Sequence, residues 1–168
     1  MTIPLLTSEN LPINSTTFMI TYSAPDLTQH PPRSPRTRLG GYVHLPRLLD
    51  KARAFAAGKT GEYVYPCPLD KRFFSYVGIE PDAFLAAVKS GKGDVEMLAW
   101  VNEHTRPVRA AWEIEAWARW LENLGPGDAK RHAGFAEDIG ELAPGRDDIR
   151  TNFDRLDLDD YISFGGRA

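Results

Sequence analysis

The sequence predicts a mainly α fold: a compact single-domain helical fold with irregular helix crossings and at most a short extended segment near residues 62–65. Three observations carry that reading. Apolar residues recur at spacings of three and four along most of the chain after residue 33. Proline, aspartate and threonine stand where helices start, and glycine where they stop. The connections are short, and each segment has one apolar face to bury, which suits a packed helical domain better than a long up-and-down bundle.

The elements follow in order. Residues 1–32 form a poorly structured lead, rich in Pro, Ser, Thr and Asn and without an amphipathic period. A β-like run at 16–22 interrupts it, and residues 1–18 read as an upstream extension of an assigned start. Residues 33–168 form the single helical domain. Pro46 opens its first helix, whose stripe of Leu45, Leu48, Leu49, Ala52, Phe55 and Ala56 ends at Gly58. Glu62-Tyr63-Val64-Tyr65 looks extended, and Pro66 and Pro68 exclude a regular helix around Cys67. Asp70 caps a helix carrying Phe73, Phe74 and Val77, stopped by Gly78. Pro81 opens the next, and Asp94 caps another. Thr105 caps a long helix running to Leu124, with Ile114, Trp117, Leu121 and Leu124 on one stripe and Trp112, Ala116 and Trp120 on a second, so this helix is expected to be central. Asp128 starts a further helix, and a last one spans about 147–156.

Composition excludes several classes. The chain has 168 residues, 42% apolar and 26% charged, which is enough apolar residue for a folded core. No apolar run reaches the roughly 18 residues of a membrane span, and no basic-then-apolar leader is visible. One cysteine excludes an internal disulfide and fits a reducing, cytoplasmic setting. The pI of 5.8 argues against nucleic acid as a partner. The net charge of -3 is uneven: residues 1–59 carry seven Lys/Arg against three acids, while residues 137–160 hold nine acids. The two regions are complementary, or the basic one forms an anion pocket on an acidic body.

Two constellations bear chemistry. The first is Arg33, Arg36 and Arg38 followed by Gly40 and Gly41, with Arg47 on the helix beyond. Guanidiniums bind phosphate or carboxylate bidentately, and glycines let backbone N–H groups approach closely. The competing reading pairs these arginines with the acidic C-terminal third. The second is Cys67, held between prolines at a helix start, where a thiol gains nucleophilicity. His44 is the best-placed base and Asp70 the orienting group. The competing reading is a small buried hydrophobe. Other motifs fail. Gly58-Lys59-Thr60 has arginine where a phosphate loop needs its first glycine. Gly91-Lys92-Gly93-Asp94 lacks the third glycine of a dinucleotide fingerprint. The aspartates at 154–160 lack the EF-hand glycine and closing glutamate. Scattered histidines without a second cysteine predict no metal, and nothing calls for a cofactor.

The run 33–53 (RSPRTRLGGYVHLPRLLDKAR), with Cys67-Pro68-Leu69-Asp70, Arg72-Phe73-Phe74, Gly91-Lys92-Gly93-Asp94 and Leu156-Asp157-Leu158-Asp159-Asp160-Tyr161, resembles an uncharacterised bacterial family, a domain of unknown function. The resemblance spans about residues 24–167. It implies a short, soluble, single-domain protein and carries no activity or catalytic residue with it. The leading expectation is therefore binding of a small anionic ligand by the arginine and glycine segment. The alternative is a thiol-dependent enzyme or redox protein using Cys67. The third is an interaction module presenting exposed aromatics.

Overall fold

A computed structural model describes residues 24–167. The chain runs β1 (Arg38–Leu39), β2 (Tyr42–Val43), α1 (Leu45–Ala56), α2 (Pro68–Val77), α3 (Pro81–Lys89), α4 (Asp94–His104), α5 (Ala111–Glu122), α6 (Ala129–Leu142) and α7 (Asn152–Ser163). The fold is mainly α. The expectations for residues 1–18 and for the run at 16–22 lie outside the described residues. Residues 24–32, within the expected lead, pack onto the domain: Leu27 is buried, and its N–H donates to the Lys59 carbonyl at 2.9 Å.

The extended segment is not at 62–65. Those residues form turns and no ladder, and the described residues have their small sheet at 38–43 instead. Two tyrosines and a valine have strand character, but a strand also needs a neighbour to take its backbone bonds. Here Tyr65 turns into the core, while the Tyr63 hydroxyl donates to Asp160 at 2.7 Å. At 38–43, Gly40 and Gly41 take φ of 59° and 87°, and Leu39 pairs with Tyr42 across them. Two consecutive positive φ values are what a two-residue type I′ hairpin requires. The glycines expected to cradle an anion therefore turn a hairpin.

Two helix starts also shift. Thr105 ends α4 instead of opening α5: its hydroxyl donates to the Val101 carbonyl at 2.6 Å, and Pro107 follows in an irregular link. Thr151 caps α7, accepting from the Asp154 N–H at 3.1 Å, so residues 147–151 are loop. At the end of α2, Gly78 has φ 69°, and a Cβ there would collide with the Arg106 carbonyl, so only glycine lets the α4–α5 link cross so closely.

The main core lies between α1, α2, α3 and α4, with Leu45, Leu48, Leu49, Phe73, Phe74, Val77, Phe84, Met97 and Val101 buried. A second cluster joins β2, α5 and α7 through Val43, Ala118, Leu121 and Phe153. Trp117 packs against both clusters. The α5 helix is thus half-covered, not central: Trp112 and Trp120 on its second stripe are 72% and 47% exposed. A third, smaller cluster of Ile139, Ala143 and Leu158 joins α6 to α7.

Candidate functional site

The first core buries more than apolar groups. His44, Lys51 and Asp70 are all buried there, and Cys67 is half-buried beside them. Local structure explains the grouping. His44 precedes α1 and Lys51 follows it by seven residues, two turns, so both sit on one side of α1. Cys67 is the N-cap of α2, a position fixed by Pro68 at the first helical residue. Asp70 lies three residues further, at the position from which a carboxylate reaches back to the N-cap N–H. It accepts from the Cys67 N–H at 2.7 Å, so Asp70 braces the cap without being it.

The geometry centres on the Asp70 carboxylate. Its Oδ1 lies 2.8 Å from His44 Nε2, and its Oδ2 lies 2.6 Å from Lys51 Nζ. Lys51 Nζ also donates to Cys67 Sγ at 3.2 Å and to the Val64 carbonyl at 3.2 Å. His44 occupies the left-handed region at φ 66°, a strained conformation for a residue with a Cβ. It is held there from both sides. Its N–H donates to Pro35, its carbonyl accepts from Leu48, and its ring stacks on Phe153 with centroids 6.0 Å apart.

Charge states follow from the same contacts. Burial opposes a charge on Asp70, but His44 and Lys51 outweigh it and hold the carboxyl at about 2. Burial pushes His44 below its ordinary value, against the pull of Asp70. At neutral pH the imidazole is therefore neutral and the carboxylate ionised. The ring proton sits on Nε2, facing Asp70, and leaves Nδ1 with a bare lone pair. Nδ1 is buried without a hydrogen-bond partner among the described residues.

A stability profile with a definite sign follows. Below about pH 6.5 the unfolded chain protonates His44 before the folded one does, so stability falls as pH drops. Asp70 acts lower: its contribution, roughly 2 kcal/mol, is present above about pH 4 and is lost as pH falls towards 2. Urea midpoints between pH 7.5 and 3 should decline in both windows. His44→Asn does not titrate and tolerates positive φ, so it should flatten the upper window, while the lower one shrinks but persists because Lys51 still holds Asp70. A decline between pH 7 and 5 unchanged in that variant would refute the assignment.

The residues read from sequence divide into two groups. His44, Cys67 and Asp70 come together, each with a ligand-type atom within 4.8 Å of the others. Such a nitrogen, sulfur and oxygen set could hold a metal ion. Lys51 already puts its amino group against both the sulfur and the carboxylate, so a cation would enter against that charge. The arginines, by contrast, are spread over the fold. Arg33 bonds Asp50 at 2.8 Å and Asp94 at 2.5 Å. Arg36 pairs with Asp154 and Asp157, and Arg38 with Glu115 and Glu122. Arg47 is buried and grips Asp160 with two bonds of 2.5 and 3.1 Å. Lys51 is the residue that sequence reasoning missed. It stands in the basic run of the sequence, and its seven-residue offset from His44 is the local signal of a shared face.

The family model described as a domain of unknown function (DUF5069) matches residues 29–162, a span that contains the whole cluster. No curated protein compared with the chain matches it. Among the described residues no helix is long and apolar enough to cross a membrane.

Proposed function

The chain belongs to the DUF5069 family, and from that premise we propose that it performs thiol chemistry at Cys67, whose sulfur attacks a small electrophilic substrate. One observation carries this reading: a buried amino group, Lys51 Nζ, donates to Sγ at 3.2 Å while anchored on a buried carboxylate. A donor fixed on the sulfur stabilises charge there, both when sulfur attacks and when it is later the leaving group. The three supporting side chains are buried and Cys67 is the half-exposed member of the cluster, so Cys67 is the residue placed to meet substrate. Asp70 and His44 are positioning residues. Asp70 holds Lys51 against the sulfur, and His44 holds Asp70. A single cysteine kept for reactivity suits a reducing cytoplasm.

The small-anion reading built on Arg33, Arg36, Arg38 and Arg47 has less support, because each guanidinium already faces carboxylates and Gly40-Gly41 forms a hairpin turn. The interaction reading is favoured by one feature, the outward Trp112 and Trp120 on α5, with Arg72 lying over the Trp120 ring.

Alkylation tests the thiol reading. Iodoacetamide should modify Cys67 at pH 7 faster than free cysteine. Lys51→Met should slow it by about tenfold, the equivalent of one charge-assisted bond of roughly 1.4 kcal/mol. Lys51→Arg, which keeps the charge, should lose less. A rate equal to free cysteine and indifferent to both variants would dispose of the proposal.

A further inference from the structure

We infer that Lys51 is the built-in trap for oxidised Cys67: a hydroperoxide converts the thiol to a sulfenic acid, and the Lys51 amine displaces the hydroxyl to form a sulfur–nitrogen bond. The inference rests on the reading of Cys67 as the reactive thiol and adds a reversible modification of that site.

A sulfenic acid is short-lived and condenses with whatever nucleophile lies nearest, a second thiol or a nitrogen. The chain has one cysteine, so no other thiol of its own can resolve the species. The usual nitrogen is a neighbouring backbone amide. Here the next residue is Pro68, which has no N–H, and the Cys67 N–H is held by Asp70 at 2.7 Å. Lys51 Nζ remains, 3.2 Å from the sulfur. It is buried, and the Val64 carbonyl and Asp70 fix it, so it cannot swing out into water. Cys67 is half-buried and Lys51 buried, so of the two it is Cys67 that a small peroxide meets first.

The chemistry balances in two steps. The sulfur takes one peroxide oxygen, giving Cys–SOH and one molecule of water (or alcohol, from an organic hydroperoxide). Sulfur is oxidised and the peroxide O–O bond is reduced. The protonated amine then passes one proton to the sulfenic hydroxyl, which leaves as water. The freed nitrogen lone pair forms the S–N bond, and a second proton passes to solvent water. Asp70 remains a carboxylate throughout, and a dithiol reductant reverses the link by attacking sulfur.

The test uses the full chain and hydrogen peroxide. After a brief exposure and an acid quench, the intact mass should be about 2 Da below that of the reduced protein, two hydrogens having left, and dithiothreitol should restore it. A peptide map should join the Lys51 peptide to the Cys67 peptide. Dimedone, present during oxidation of the wild-type chain, should compete with the link, a readout that needs no folded variant. In Lys51→Arg the link should vanish, and dimedone adduct or sulfinic acid should replace it. A link about 14 Da heavier than the reduced chain would place an oxygen between the two atoms and overturn the direct bond. Dimedone adduct without any link in wild type would overturn the inference and leave the thiol reading standing. Slow alkylation together with an unchanged mass under peroxide would remove both.

Discussion

Asp70→Asn is expected to cost about 3–5 kcal/mol of stability, the largest effect at the site. The carboxylate satisfies three donors at once: His44 Nε2, Lys51 Nζ and the Cys67 N–H. Asparagine is nearly the same shape but neutral, and its amide nitrogen presents a donor where an acceptor is needed. Lys51 is left as a buried, uncompensated charge, which costs far more than the lost bond itself. For a domain whose total stability is about 5–15 kcal/mol, such a loss approaches unfolding at room temperature. Urea denaturation measures it. Adding Lys51→Met to Asp70→Asn should recover part of the loss, because the stranded charge goes with it. A single-variant loss under about 1 kcal/mol would mean that the cluster is not the anchored unit described above.

The second large effect is at the other buried ion pair. Arg47 and Asp160 tie α1 to α7 through two parallel bonds, and Tyr63 donates its hydroxyl to the same carboxylate. Burial, and then the hydrogen bond to Asp160, push the Tyr63 hydroxyl above its usual range, so it stays a donor at any ordinary pH. Arg47→Met should cost about 3–5 kcal/mol, since Asp160 loses its cation in a dry setting. The double variant Arg47→Met with Asp160→Leu should recover more than half of that, because a buried pair replaced by packed apolar groups is often neutral. A double-mutant cycle in urea reads the coupling directly. Equal losses in the single and double variants would show that packing, not charge, dominates there.

The order of the helices was legible because proline and glycine bracket them and apolar stripes run between. Pro46, Pro68 and Pro81 each sit in the first turn of a helix in the fold. The misread places share a cause: one local signal fits two structures, and a distant partner decides. Thr105 has the chemistry of an N-cap, yet its hydroxyl turns back to Val101 and closes α4. Tyr63-Val64-Tyr65 has strand character but no neighbouring strand among the described residues. Gly40-Gly41 suits an anion cradle and a hairpin equally, and the pairing of Leu39 with Tyr42 selects the hairpin. For the site, Cys67 and Asp70 could be associated from sequence because one helix start holds both, and His44 was assigned beside them as the best-placed of four histidines. The role of Lys51 was not legible. A lysine among five nearby arginines looks like solvated charge, and only the tertiary contact of its amino group with Asp70 and Cys67 turns it inward.

The spread of the arginine contacts bears on how the molecule is made. Arg36 meets Asp154 across 118 residues of sequence, and Arg47 meets Asp160 across 113. A ribosome releases the chain from its N-terminal end at about 5–20 residues per second, so these cations emerge several seconds before their carboxylates. Through that interval the nascent domain carries an unneutralised basic flank beside a half-built core. Closure therefore waits on the synthesis of α7, when the early-born cations find their counter-charges.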